Sequence, residues 1–525
     1  VRLSRASTLA AVLFALACLA AVAPLWAGAE LPLVDLPQHL HLISVLQRLE
    51  DPSTLYPEWF AARGQLTPYL GYYTAVGGLS RLMPLEAANR LFLSAYVAGL
   101  ALSLAFLLRT LGRQPWAAAL ALPFAYGDSL AWGFINYCAA LPLAVLACAL
   151  FVKTLVDAPR RRAWGAGMAV TLLAVLLMHV QAFAFLALAL PALLLTTRVP
   201  EDAPGLPLRA RLVPRLPALA SVVPGVGLFF AWVVLRAGAP AEVEAGAPWK
   251  AWGPMLSPQN LGWKSFAQNR EDLLSLLANQ LQDGSDRAVL GWVAGALGLA
   301  WAMGLLAPPE DTAGRWTGLP RLALLAGLAL GLYFLLPFDI RGYMYYLNPR
   351  YAHLAAALCV VLVPTVRPKA EVALAAAGLA VALALAVPLW KGYAAFSGEA
   401  AGLRQVTAAA QPKARTFGLV FNAASRVATH PVYLHAAARV AREQGGYANF
   451  SFALTPHSPV KYARPPPPTT SSEWRPQQFN YATMGPSYDH FLVKGPPPER
   501  LFGPLLGSEL EVVARAGDVA LVRRR

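Results

Sequence analysis

At 525 residues, 57% of them hydrophobic and only 14% charged, the chain is too apolar for a soluble globular protein and too long for one hydrophobic core. Those proportions leave a polytopic α-helical membrane protein, whose helices tolerate the plentiful Pro and Gly. A formal charge of +15 would ordinarily raise nucleic-acid binding, but many of the basic residues stand in short loops between apolar runs, where they orient a chain in a bilayer, so no nucleic-acid partner is expected.

In chain order, the opening stretch VRLSRASTLAAVLFALACLAAVAPLWAGAE is too long in its apolar part for a signal sequence and suits an uncleaved first span near 8–27, with Arg2 and Arg5 cytoplasmic. Runs of the required length recur near 88–108, 134–152, 214–235, 288–307, 320–338 and 371–391. Lys153 with Arg160, Arg161 and Arg162, and then Arg198 with Arg209, Arg211 and Arg215, mark two cytoplasmic loops. An even number of crossings must join them, so the run between is expected to be two short helices turning at His179 to Gln181. The same reasoning makes 114–127 and 352–366 spans, about eleven in all. Residues 68–84, PYLGYYTAVGGLSRLMP, are placed outside as part of a long first loop.

External segments then fall near 29–87 and 237–287 and at FDIRGYMYYLNPRY, with Trp and Tyr suited to the bilayer interface. The membrane domain is expected over 1–404. From about Gln405 continuous apolar runs give way to alternation: TFGLVFN and YANFSFAL read as strands, HPVYLHAAARVAREQGG as a helix ending at a Gly pair, and LEVVARAGDVALVRR as a hairpin. A small extracytoplasmic α/β domain over 405–525 follows, interrupted by ARPPPPTTSSEWRP, a linker or loop by composition. Cys18, Cys138, Cys148 and Cys359 lie inside apolar runs with no C-x-x-C pairing, so neither a disulfide framework nor a zinc site is expected.

The chemistry concentrates at the ends of spans. In LPLVDLPQHLHL, Leu36, Leu40, Ile43 and Leu46 recur at helical spacing and Pro37 suits a first turn, which predicts an amphipathic helix along the membrane surface. Asp35 stands at its N-cap, where a carboxylate accepts backbone N–H bonds. Its place just beyond the first span also suits a base that activates an acceptor for a lipid-borne substrate, and both readings stand. His39, four residues on, shares a helical face with Asp35, whereas His41 points elsewhere. An Asp35–His39 pair could share a proton or bind a phosphate oxygen or a divalent cation. Asp128 and Asn136 in GDSLAWGFINY, and His179 at the next hairpin tip, are substrate-binding candidates, with helix capping and a core histidine as the plainer alternatives. Arg341 and Arg350, beside tyrosines, suit bidentate phosphate binding or interfacial snorkelling, and Lys250 and Lys264 are further cations.

No Walker sequence, G-x-S-x-G elbow or H-E-x-x-H motif occurs, and no cytosolic block suffices for a nucleotide-binding domain. A donor would have to be lipid-linked. This layout, with VDLPQH matching a D-x-P-x-H that opens the first loop, and with WGFINYCAALPLAVLACAL and MHVQAFAFLALAL, resembles the C-type membrane glycosyltransferases (GT-C), in an uncharacterised bacterial branch. The resemblance implies hexosyl or pentosyl transfer at the bacterial inner membrane, from a polyprenyl-phosphate donor to an envelope lipid, glycan or protein on the periplasmic face. It implies Asp35 as the base and an Arg of the later external loop on the donor phosphate. Many members carry a second acidic residue beside the first, and here Val34 and Leu36 flank a lone carboxylate. A lipid-linked glycan transporter and a non-catalytic envelope polysaccharide assembly protein are the alternatives.

Overall fold

The computed structural model describes residues 5–64, 66–201, 207–237, 257–306, 312–341 and 344–525. Among them, eight helices are long and apolar enough to cross a bilayer: Arg5–Trp26, Leu85–Thr110, Ile135–Val156, Ala158–Met178, Val213–Val234, Ser285–Leu306, Gly314–Leu335 and Pro368–Ala408. The three remaining expected spans are also helical, though shorter. Val180–Thr196 is an apolar helix, Pro115–Tyr126 a 3₁₀ helix and Tyr351–Cys359 a single short α-helix. At about 2.0 Å per residue the 3₁₀ segment reaches roughly 24 Å, most of a hydrocarbon core of about 30 Å. It can run so long because Ala117–Tyr126 is buried throughout and its alanines admit close neighbours. The expected hairpin turns at an extended His179, as the two basic loops require. Residues 70–79 form a helix of about 15 Å, too short to cross.

Small residues set the packing. Ala10, Phe14, Ala17, Cys18 and Ala21 form the buried stripe of the first helix, which packs along Pro368–Glu399. That partner helix has 32 residues and extends about 48 Å. It overshoots the bilayer core, and Glu399 at its projecting end accepts bonds from Ser425, the Arg426 backbone and Tyr433. The membrane helix is thereby fixed to the C-terminal segment.

The C-terminal segment is built on a five-stranded sheet: β4 (Arg415–Val420), β5 (Tyr447–Ala448), β7 (His490–Lys494), β8 (Leu510–Ala516) and β9 (Val519–Arg524), in the order β5-β4-β7-β9-β8. β5 and β7 flank β4 in parallel, and β8–β9 is the expected hairpin, antiparallel to β7. The crossover from β4 to β5 carries the helix Ala436–Gln444, closed by Gly445 in the left-handed conformation (φ +61°). YANFSFAL is strand only at Tyr447–Ala448, because Asn449 turns its side chain to the Gly418 N–H and Ser451 caps a 3₁₀ turn.

The first loop is stitched onto this domain. Its strand β1 (Phe60–Ala62) pairs antiparallel with β6 (Val460–Tyr462), and Leu55 N–H donates to Gly445 O. The surface helix Leu36–Gln47 packs against Ala436–Gln444 and is more deeply buried than a helix lying on a bilayer: His39, His41 and Gln38 are all enclosed. Of the segment expected at 237–287, 238–256 with Lys250 lies outside the described residues, and Lys264 pairs with Asp272 at 2.6 Å.

Candidate active site

Asp35 is positioned by backbone. Val34 and Asp35 donate their N–H groups to the carbonyls of Ala131 and Trp132, so the first loop lies on the turn that carries Asp128. At that crossing Gly133 takes φ +85°, and a Cβ there would meet Asp35 N at 2.8 Å and Asp35 Cβ at 3.0 Å. Only glycine fits both the conformation and the approach. Gly133→Ala is therefore expected to displace Asp35. A left-handed alanine costs about 1–2 kcal/mol, whereas an ångström of misplacement at a reacting group costs on the order of a hundredfold in rate. Paired thermal unfolding and transfer assays check it; unchanged transfer would show that Asp35 does not need this seat.

The Asp35 carboxylate makes no capping bond to the helix it precedes, and its own backbone is already helical (φ −81°, ψ −8°). Oδ1 instead faces His435 Nε2 at 3.2 Å, from the residue that precedes the crossover helix. On the other side of the ring, His435 Nδ1 lies 2.7 Å from Glu473 Oε2. Burial alone would lower the pKa of His435, but Glu473 and Asp35 together outweigh it and push it up to about 10. Burial raises the pKa of Glu473, against the pull of the imidazolium. Phe450 stacks on the His435 ring and Phe452 meets it edge-on, with centroids 6.1 and 5.5 Å away.

An Asp–His pair thus exists, but with His435 and not with His39. His39 Nδ1 lies 2.8 Å from the Tyr73 hydroxyl, and burial lowers its pKa to about 4 although the Asp35 charge opposes it. It is a neutral ring that orders the surface helix and a poor proton partner near pH 7. His41 is enclosed between Tyr56 and Phe60, and burial, with Arg442, lowers its pKa to about 3.

Asp128 forms a second Asp–His pair. Its Oδ1 lies 2.7 Å from His430 Nε2, five residues before His435, and its Oδ2 accepts from the Tyr346 hydroxyl. Tyr346 holds a left-handed φ of +61°, a strain that the surrounding contacts must sustain. Trp132, whose carbonyl accepts from Asp35, sets its ring edge-on to His430 at 5.3 Å, so the two pairs share one wall.

His179 and Arg350, 171 residues apart, also come together. The Arg350 guanidinium donates to Gln181 Oε1 at 2.5 Å, stands 3.2 Å from His179 Nε2, and lies 4.3 Å above the Phe134 ring. Tyr137 donates to the Arg350 carbonyl at 2.7 Å, and Asn136 beside it has a buried Oδ1 with no partner among the described residues. No carboxylate lies within ion-pair distance of Arg350 among the described residues, although Asp35 is near enough for its charge to act on it. Arg341 stands apart: it is exposed, and among the described residues its side chain reaches the Gln259 carbonyl, at 3.4 Å.

The described residues of the site do not fit a divalent cation. Among the described residues no group of three His, Cys, Asp or Glu side chains is placed to hold a metal ion, and the His435 ring stands between the two carboxylates of the site. Glu473, His435, His430 and Tyr346 are the residues that sequence reasoning missed. Glu473 lies in the proline-rich stretch, where only composition could be read.

The fold is that of a polytopic helical membrane protein with a C-terminal sheet domain. Solved structures with a similar fold include two of ArnT from Cupriavidus metallidurans. The form bound to undecaprenyl phosphate superposes with a TM-score of 0.53 at 14% identity, covering 98% of this chain and 97% of that chain. The apo form gives 0.54 at 13% identity, covering 99% and 98%. No protein-family model and no curated protein matches the chain.

Proposed function

We propose that the chain is a membrane glycosyltransferase, moving a hexosyl or pentosyl unit from a polyprenyl-phosphate donor to an envelope lipid, glycan or protein on the extracytoplasmic face. The observation that carries this reading is Arg350, a half-buried cation that is 3.2 Å from a histidine and bonded to a glutamine, with no carboxylate partner among the described residues. A guanidinium turned inward and left without an anion is a seat for one, and its planar fork matches phosphate. The likeness to a protein solved with undecaprenyl phosphate supports a lipid phosphate as that anion.

The chemistry then divides between Asp35 and Arg350, which are near enough for the charge of one to act on the other. Asp35 takes the proton of the acceptor hydroxyl as its oxygen attacks the anomeric carbon. The bond from that carbon to the phosphate oxygen breaks, and the electron pair leaves with the lipid phosphate, whose charge Arg350 holds. Attack opposite the leaving group inverts the anomeric centre. Arg161 pairs with Glu201 at 2.9 Å, joining the two basic loops at one end of the hairpin, while His179 occupies the other end. By the positive-inside rule the site then faces away from the cytoplasm.

Mass spectrometry of envelope lipids and glycans from cells lacking the protein, with and without the wild-type gene restored, tests the reading. A sugar mass that disappears and returns supports transfer and identifies the sugar. An unchanged glycan profile would favour the transport or assembly alternatives.

A further inference from the structure

Both nitrogens of the His435 ring face carboxylates, Asp35 at 3.2 Å and Glu473 at 2.7 Å. Two carboxylates flanking one ring favour its charged, doubly protonated form. The three groups come from separate parts of the chain: the lip of the first span, the turn that leads into the crossover helix and the proline-rich stretch before β7. We propose that His435 and Glu473 are positioning residues that keep Asp35 aimed and hold a fixed cation beside it, making the C-terminal domain part of the transfer site. The role of Asp35 rests on the transferase reading above; the way it is held rests on the geometry.

The need for Glu473 follows from burial. The side chains of His435, Glu473 and Asp35 are 5%, 9% and 17% exposed. An imidazolium facing one carboxylate in such a place can discharge the pair by passing its proton across, since separated charges are expensive away from water. A protonated Asp35 could no longer accept the proton of an acceptor hydroxyl. The second carboxylate on Nδ1 holds the positive charge on the ring and opposes that transfer. Phe450 and Phe452 wall the ring, and Gln38 fixes this wall by bonding the Phe450 carbonyl and the Phe452 N–H, each at 3.3 Å. The other polar groups nearby are committed elsewhere: His39 to Tyr73, and Arg439, one turn along the helix, to Glu30 and Glu443.

The sign is fixed by the raised pKa of His435. What the charged ring contributes is fully present below about pH 6.5 and is lost as pH rises through about 10. Purified protein reconstituted in lipid is assayed for transfer across pH as wild type, Glu473→Gln, Glu473→Asp and His435→Gln, with thermal unfolding measured over the same range. Glu473→Gln is expected to move the alkaline limb of kcat down by a pH unit or more, about tenfold in rate at a fixed alkaline pH, with the donor KM unchanged. Glu473→Asp restores most of the limb, and His435→Gln lowers kcat and removes it. Stability should lose its alkaline fall in His435→Gln and begin that fall at lower pH in Glu473→Gln. An alkaline limb and a stability profile that are the same in Glu473→Gln as in wild type would overturn the proposal. A shifted stability profile in a protein whose wild type transfers no sugar would instead sink the transferase reading and leave the ionic triad standing.

Discussion

Asp35→Asn is expected to abolish detectable sugar transfer, lowering kcat by 10²–10⁴-fold, the usual span for a lost general base, while leaving the protein folded. The second half is as diagnostic as the first. Had the carboxylate served as the N-cap of Leu36–Gln47, its removal would cost about 1 kcal/mol; it makes no such bond, and Pro37 already suits the first turn. Asparagine keeps the shape and can still accept from the His435 N–H, so the connection between first loop and C-terminal domain survives. What goes is the negative charge and the basic lone pair. The measurement is transfer at matched protein abundance together with the unfolding midpoint. Full transfer by Asp35→Asn would remove the base from Asp35; lost transfer with a collapsed midpoint would make the residue a structural anchor.

How far the site was legible follows from where its parts lie in the chain. The spans could be read because about twenty apolar residues are a local property, and the hairpin at His179 because two basic loops force an even number of crossings. Asp35, His179 and Arg350 each declared themselves as polar groups at the lip of a membrane segment. That His179 would meet Arg350 across 171 positions did not, since no local pattern records which span ends converge. His39 is the instructive miss. Helical spacing correctly put it one turn from Asp35, and His39 N–H does donate to the Asp35 carbonyl. Spacing speaks for the backbone, however, while the carboxylate turned to a histidine 400 positions away, which only the stitching of the first loop to the domain brings near.

The C-terminal segment divides the same way. β4 and the β8–β9 hairpin follow from alternation, and the helix stops at its glycine pair. It starts later than its sequence suggests, at Ala436, and HPVYLH before it is a turn that lays His430 on Asp128 and His435 on Asp35. Nothing in the apolar pattern separates these six residues from the helix they precede. Glu473 was hidden more thoroughly, in a stretch whose prolines and serines read as linker, although the loop returns to the site and nearly buries that one carboxylate.

Arg350→Ala is expected to weaken binding of undecaprenyl phosphate about a hundredfold. A hydrogen bond to a charged group is worth about 1.5–3 kcal/mol, and each 1.4 kcal/mol is tenfold in affinity. Arg350→Lys keeps the charge but replaces a planar fork by a point, and should retain part of the affinity. Folding responds differently from binding. The Arg350 guanidinium touches a glutamine, a histidine and an aromatic face, and no carboxylate among the described residues, so truncation strands no buried counter-ion, the event that makes breaking a buried ion pair so destabilising. The readout is the rise in unfolding midpoint with added undecaprenyl phosphate, which grows with the logarithm of ligand over Kd. In Arg350→Ala that rise should vanish at concentrations that saturate the wild type, while the ligand-free midpoint changes little. A full rise in the variant would put the lipid phosphate elsewhere, and a ligand-free midpoint that collapses would make Arg350 a structural pin between the His179 hairpin and the later external loop.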